Sequence, residues 1–110
     1  MDKVEFLILR NLIHNEEYVR KVIPFIKVEY FENYNEKVVF EETLKFVEQY
    51  NELVTKEVLC IEAEKRQDIN DTTFKEITQL ISGLDDDPTE FNWLVNTTEK
   101  WCRDRAIYLA

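Results

Sequence analysis

Few residue types in this chain are arranged to do chemistry. His14 is the only histidine. A metal centre would need it grouped with Cys, Asp or Glu at ligand spacing, and Glu16 and Glu17 alone do not supply that. A structural or surface role is expected. Ser82 is the only serine, and no His–Asp pair stands near it in the sequence, so a serine triad is unsupported. Cys60 and Cys102 lie far apart without CxxC spacing, which suggests neither zinc nor a redox motif. They could form one disulfide, but in a helical intracellular domain such residues are more often small buried ones. Asp85, Asp86 and Asp87 lack the alternation and closing glutamate of a calcium loop, and helix capping explains them more simply. Paired carboxylates abound because acidic residues abound. No catalytic, cofactor-binding or metal-ligating residue is therefore assigned.

The last segment is the most informative. Phe91, Leu94, Val95 and Thr98 mark the earlier inner face of a helix, and Trp101, Arg105 and Tyr108 continue at i, i+4, i+7. One reading packs these aromatics into the chain's own core. The other lets the distal part project and present Trp101, Arg105 and Tyr108 to another chain, since Tyr, Trp and Arg are enriched in interface hot spots. Such a helix runs about six turns, and five shorter elements cover about four of them. Trp101, Arg105 and Tyr108 are the expected partner-binding residues.

The elements that must position them follow from composition and pattern. The chain has 110 residues, one glycine (Gly83) and two prolines (Pro24 and Pro88). That length fits one domain with one core. A phosphate-cradling GxxxxGK loop and a GxGxxG turn both need several glycines, so neither is present. Glycine-rich hairpins are missing too, which argues against an all-β fold. Fourteen basic against 23 acidic residues give a net charge of −9. No basic stripe stands out, so direct DNA or RNA binding is not expected. The excess acid serves solubility or meets a basic partner. The first apolar run, Val4 to Ile13, is interrupted by Glu5 and Arg10. It lacks a small-residue cleavage site and is too short to span a bilayer, so no membrane association is expected.

Apolar spacing is helical nearly throughout. Val4, Ile8 and Leu12, flanked by Phe6, Leu9 and Ile13, predict a well-buried first helix. Asn15 is placed to cap a short second helix with Tyr18, Val22 and Ile23 inward, ended by Pro24. Phe25 to Asn35 has no clean period and reads as a loop with one short turn, anchored by Tyr30 and Phe31. A third helix is expected from about Glu36 to Tyr50. Its stripes are Phe40, Leu44 and Val47, and Val39, Phe46 and Tyr50, which suits the centre of a bundle. Thr55 is placed to cap a fourth helix carrying Val58, Leu59, Ile61 and Ala63. Asn70 or Asp71 is placed to cap a fifth with Phe74, Ile77, Ile81 and Leu84 in one stripe and Gly83 near its end. Asp87 as N-cap, Pro88 at the first helical position and Glu90 three residues after the cap predict a last helix from Thr89 to the C-terminus. The expected fold is all-α, a compact bundle of about six helices. Residues 1–84 form the globular part and residues 85–110 a capped long helix.

The chain resembles the N-terminal domain of DnaB-like replicative DNA helicases, particularly those of T-even-type phages. The carriers are VEFLILRNLIHNEEYVRKVIPFIKVEYFE, FKEITQLISGLDDDPTEFNWLVNTTEKW and the closing RDRAIYLA. The ordered set is more specific than any one piece, and it runs from about Val4 to Ala110. One departure is Glu36, four residues before Phe40, where bacterial members often carry histidine. The resemblance implies an all-helical collar on a hexameric ring, with subunit pairing and interaction with primase among its roles. A helicase loader is a further partner, and the setting is the cytoplasm of an infected bacterial host. It also implies that the segment from Thr89 onward is the first arm of a helical hairpin that packs on a neighbouring subunit, with Arg105 at an arginine position of that arm. The RecA-like ATPase domain, with its ATP and magnesium, is expected outside this chain, which is expected to be non-catalytic. The rival reading is a free-standing small acidic regulator or inhibitor of a replicative helicase.

Overall fold

The computed structural model describes residues 3–110, which form six α-helices and one 3₁₀ turn without a strand among them. The helices are α1 (Val4–His14), α2 (Glu16–Val22), α3 (Tyr34–Tyr50), α4 (Lys56–Glu64), α5 (Asp71–Ser82) and α6 (Phe91–Leu109), and the turn is Val28–Tyr30. The all-α expectation holds. Helices α3, α4 and α5 pack on one another. Helix α1 joins them to the rest by packing on α3, α2 and α6, while α6 also covers α2 and the 3₁₀ turn.

Side-chain caps start most of these helices. The side-chain oxygens of Asn15, Asn33, Thr55 and Asn70 accept from the backbone N–H of Tyr18, Glu36, Val58 and Thr73 at 3.0, 3.1, 3.2 and 2.8 Å. Each bond satisfies an N–H that the helix itself leaves unpaired. Helix α2 also places Glu16 and Glu17 in its first turn and Arg20 and Lys21 in its last, matching its dipole. The largest fully buried side chains are Tyr18, Phe31 and Phe40. Phe31 and Phe40 stack at 5.2 Å, so the aromatic anchor expected between α2 and α3 sits in the core.

Four local expectations are corrected. Helix α3 begins at Tyr34 rather than Glu36, because Asn33 supplies the cap two residues earlier than the apolar pattern reveals. Ile61 is exposed, so of the four apolar residues expected along α4 only Leu59 and Ala63 are fully buried. Tyr50 is exposed as well and stacks on Phe46 at 4.7 Å, so the second stripe of α3 leaves the core at its end. Helix α6 begins at Phe91, and its cap is Glu90, whose carboxylate accepts from the Trp93 N–H at 2.6 Å. Asp87 does not cap it. Its own N–H donates to the Asp85 carboxylate at 3.1 Å, and Thr89 is drawn toward α1, so residues 85–90 stay outside the helix.

Cys60 is half-buried and Cys102 buried, both as free thiols. Among the described residues no helix is long and apolar enough to cross a membrane.

Gly83 does follow α5, but with φ −79°, which any residue adopts. A β-carbon there would meet the carbonyls of Leu80 and Gln79 at 3.5 and 3.6 Å, ordinary contact. The left-handed position is Asn51, the C-cap of α3, at φ 55°. Gly83→Ala is therefore expected to be neutral or to stabilise by up to about 0.5 kcal/mol through the unfolded chain. Asn51→Ala is expected to cost about 1 kcal/mol. Urea unfolding midpoints of the two variants check this contrast.

Candidate interaction surface

The exposed apolar end of the chain belongs to α6, whose direction is set by contacts from α1. Arg10 on α1 is 8% exposed. Its guanidinium donates to the Asp85 carboxylate at 3.2 Å and to the Thr89 hydroxyl at 2.9 Å. Asn11 beside it donates to the same hydroxyl at 3.2 Å. One turn on, the His14 Nε2 lies 2.9 Å from the Leu84 carbonyl, which can only accept, so that nitrogen carries the proton. Three polar side chains of α1 thus hold the connection between α5 and α6. His14 has the structural role expected of it.

Along α6 itself, Leu94, Val95, Thr98 and Cys102 face inward. The Thr98 hydroxyl meets the Tyr18 phenol at 2.6 Å inside the core. Burial pushes that phenol above its ordinary value, so it stays neutral and can share the hydrogen bond. Burial likewise pushes the Cys102 thiol up to about 11, which keeps it protonated and a poor nucleophile.

The three residues expected to meet a partner fall in different places. Trp101 is half-buried. Its indole N–H donates to Glu5 at 3.2 Å, and its ring packs on Phe31 at 5.0 Å and edge-on to Tyr30 at 6.0 Å. Arg105 donates to the Tyr30 carbonyl at 2.7 Å and pairs with Glu32 at 3.0 Å, with its side chain 13% exposed. Both residues fasten the segment after α2 onto α6. Tyr108 is 75% exposed and lies under the Arg105 guanidinium at 4.9 Å. Ile107 and Leu109 beside it are also exposed. The structure therefore brings Trp101 and Arg105 together against Tyr30 and leaves Tyr108 at the rim of an apolar helix end.

Three features escape sequence reading. A groove of about 340 Å³ runs along α6, lined by Phe25, Tyr30, Glu99, Cys102, Arg103 and Ala106. The spacing 99, 102, 103, 106 is one helix face, but two charges in it hide the signal. A second feature is an acidic concavity of Glu5, Glu32 and Glu36 with Lys3 and Asn33. Burial, reinforced by the neighbouring Glu5, raises the Glu36 carboxyl above its ordinary value. The third is a polar hub remote in sequence from α6. Arg66 pairs with Glu42 at 2.7 Å, Asp68 at 2.8 Å and Glu41 at 3.0 Å, and the Tyr34 phenol also donates to Asp68. Arg66 first, then Tyr34, hold the Asp68 carboxyl well below the usual range. Among the described residues no group of three or more His, Cys, Asp or Glu side chains is placed to hold a metal ion.

What stands out is an all-helical unit whose few buried polar side chains, Arg10, Asn11, Glu42, Thr43 and Thr98, are hydrogen-bonded within the fold, and which exposes an apolar helix end. No family model matches the chain. It is 33% identical over 104 residues, 94% of its length, to the DnaB-like replicative helicase of Enterobacteria phage T4, and it spans 22% of that protein. The resemblance drawn from the residues is thereby borne out.

The two shifted carboxyls give opposite pH dependences. An unfolded chain protonates Asp and Glu near pH 4. Asp68 is depressed in the fold, so its contribution is complete above about pH 4 and is lost as pH falls toward its folded value. Glu36 is raised, so the fold loses stability as pH climbs from about 4 through that raised value. Asp68→Asn is expected to flatten the acid limb below about pH 4, and Glu36→Gln to raise the unfolding midpoint at pH 7. Urea melts between about pH 3 and pH 7 measure both.

Proposed function

We propose that this chain is the N-terminal collar domain of a phage replicative DNA helicase, a non-catalytic unit that helps hold the hexamer together. In this reading it also couples the unwinding motor to primase, and a helicase loader is a further partner. It acts in the cytoplasm of the infected bacterial host. One observation carries the reading. The chain aligns over 94% of its length with a replicative helicase, yet it contains a single glycine and so no phosphate-cradling loop. The shared segment is thus not the part of a helicase that handles nucleotide. ATP and magnesium belong to the motor domain, outside this chain. Its mechanism is positional: a bundle that sets the direction of α6 and offers the exposed end of that helix to a neighbouring subunit.

The rival, a free-standing regulator, is separated by the gene. An open reading frame running past Ala110 into a Walker motif supports the collar, and a stop codon directly after Ala110 supports the regulator. Purified 110-residue chain is expected to show no ATP hydrolysis, and measurable turnover would overturn the non-catalytic assignment.

In the full helicase, Tyr108→Ala is expected to weaken hexamer assembly, read by sedimentation. Tyr108 is 75% exposed, so folding stability should change by less than about 0.5 kcal/mol. Arg105→Glu is expected to weaken assembly too, with an added loss of stability because Arg105 holds Tyr30 and Glu32. Unchanged sedimentation of Tyr108→Ala removes Tyr108 from the contact.

A further inference from the structure

The acidic concavity beside Trp101 gathers more negative charge than its own contacts use. It has a volume of about 490 Å³ and is lined by Lys3, Glu5, Glu32, Asn33 and Glu36. Glu5, from α1, accepts from the Trp101 indole N–H at 3.2 Å, and Glu32, from the segment before α3, pairs with Arg105 at 3.0 Å. Two of the three carboxylates are therefore ones that hold α6. The third, Glu36, stands half-buried in the first turn of α3. Among the described residues its carboxylate takes part in no ion pair or hydrogen bond, and only its backbone N–H is used, donated to the Asn33 side chain at 3.1 Å. Lys3 is the one cation among the lining residues.

The charge on Glu36 is thus set by opposing influences. Burial disfavours it, and so does the neighbouring Glu5. Lys3 and the positive end of α3 favour it. From α6, the indole N–H and the Arg105 guanidinium are already taken up by Glu5 and Glu32. The repulsion is mutual, so a charge on Glu36 acts back on Glu5, the acceptor of the Trp101 indole. A proton on Glu36 removes that repulsion without touching Glu5 itself. We propose that the concavity is a proton-responsive latch on α6: proton uptake at Glu36 tightens the Glu5–Trp101 hydrogen bond, and proton release loosens it. The latch acts on the contact by which α6 rests on Phe31 and Tyr30, and the Tyr30 carbonyl in turn anchors Arg105. It is a property of the fold and does not depend on the collar reading.

The test is a titration of the 110-residue chain between about pH 7.5 and pH 4.5, followed by the NMR resonance of the Trp101 indole N–H. Trp93→Phe identifies that resonance, because Trp93 is the other tryptophan and is 51% exposed. As pH falls the resonance should move downfield, the direction of a strengthening hydrogen bond. It should do so in one step, with a midpoint above the ordinary glutamate value of 4.5. Glu36→Gln keeps the side chain's shape and removes its charge, so the resonance should stay at its low-pH position throughout. Lys3→Met removes the opposing cation, so the midpoint should rise. The Lys3 side chain makes no cap bond, so α1 keeps its start in that variant. Three outcomes overturn the proposal: a wild-type resonance that stays flat, a step that survives Glu36→Gln, or a midpoint that does not rise in Lys3→Met. The last arm leaves Glu36 in place, so it decides even where Glu36→Gln disturbs packing. None of these outcomes touches the collar reading, which fails separately if a stop codon directly follows Ala110.

Discussion

A guanidinium buried beneath the surface has to be paired, and Arg10 sets that demand at the centre of this fold. It sits on α1, the helix that packs on α2, α3 and α6 together, and it is only 8% exposed. A charge left unpaired there would cost several kcal/mol. The acceptors it finds are Asp85 and Thr89, both in the connection that leads into α6. Its Nε remains without a partner, and its guanidinium lies 6.0 Å over the Phe6 ring. The pairing therefore does more than satisfy a charge. It ties down the connection that follows α5 and leads into α6, and with that the direction of the longest helix. The Tyr18–Thr98 hydrogen bond then holds α6 at its midpoint, and Arg105 holds it nearer the end.

Much of this order was legible in the sequence, and the reason is local. Caps are read from a residue and its next three neighbours, so Asn15 and Thr55 could be placed directly, and the cap of α5 narrowed to Asn70 or Asp71, of which Asn70 serves. Wide apolar stripes such as Ile8, Leu12 and Leu9 are fixed by helix period, which sequence carries in full. Asp87 misled for an instructive reason. Its local signature is a good cap, but Asp85 and Thr89 have partners more than seventy residues away, which no local window contains. The distant competitor for those oxygens decides where the helix starts.

The surface on α6 was harder to read, for the same cause. Trp101, Arg105 and Tyr108 do share a helical stripe, and spacing alone makes them alike. What separates them is the segment Tyr30–Glu32, which lays a carbonyl, a carboxylate and an aromatic edge against the first two and stops short of the third. An arginine that ends 13% exposed and a tyrosine that ends 75% exposed are indistinguishable until that segment is in place. The groove beside them is hidden for the opposite reason, because the charges at 99 and 103 interrupt the apolar pattern of the helix.

The two sides of α6 meet different surroundings. The inner stripe ties α6 to α1, α2 and the 3₁₀ turn, which makes the helix a rigid extension of the bundle rather than a loose tail. Such rigidity lowers the entropic cost of any contact made on the helix, because a side chain already held in place loses little freedom on binding. Arg105 shows the principle at small scale. Fixed by the Tyr30 carbonyl and Glu32, it presents a flat cation against the Tyr108 ring and limits how that exposed ring can turn. The core thus reaches the surface through a short chain of contacts, from Phe31 to Trp101 and Tyr30, from Tyr30 to Arg105, and from Arg105 to Tyr108. A substitution in the aromatic segment after α2 would accordingly disturb the exposed end of α6 without touching it.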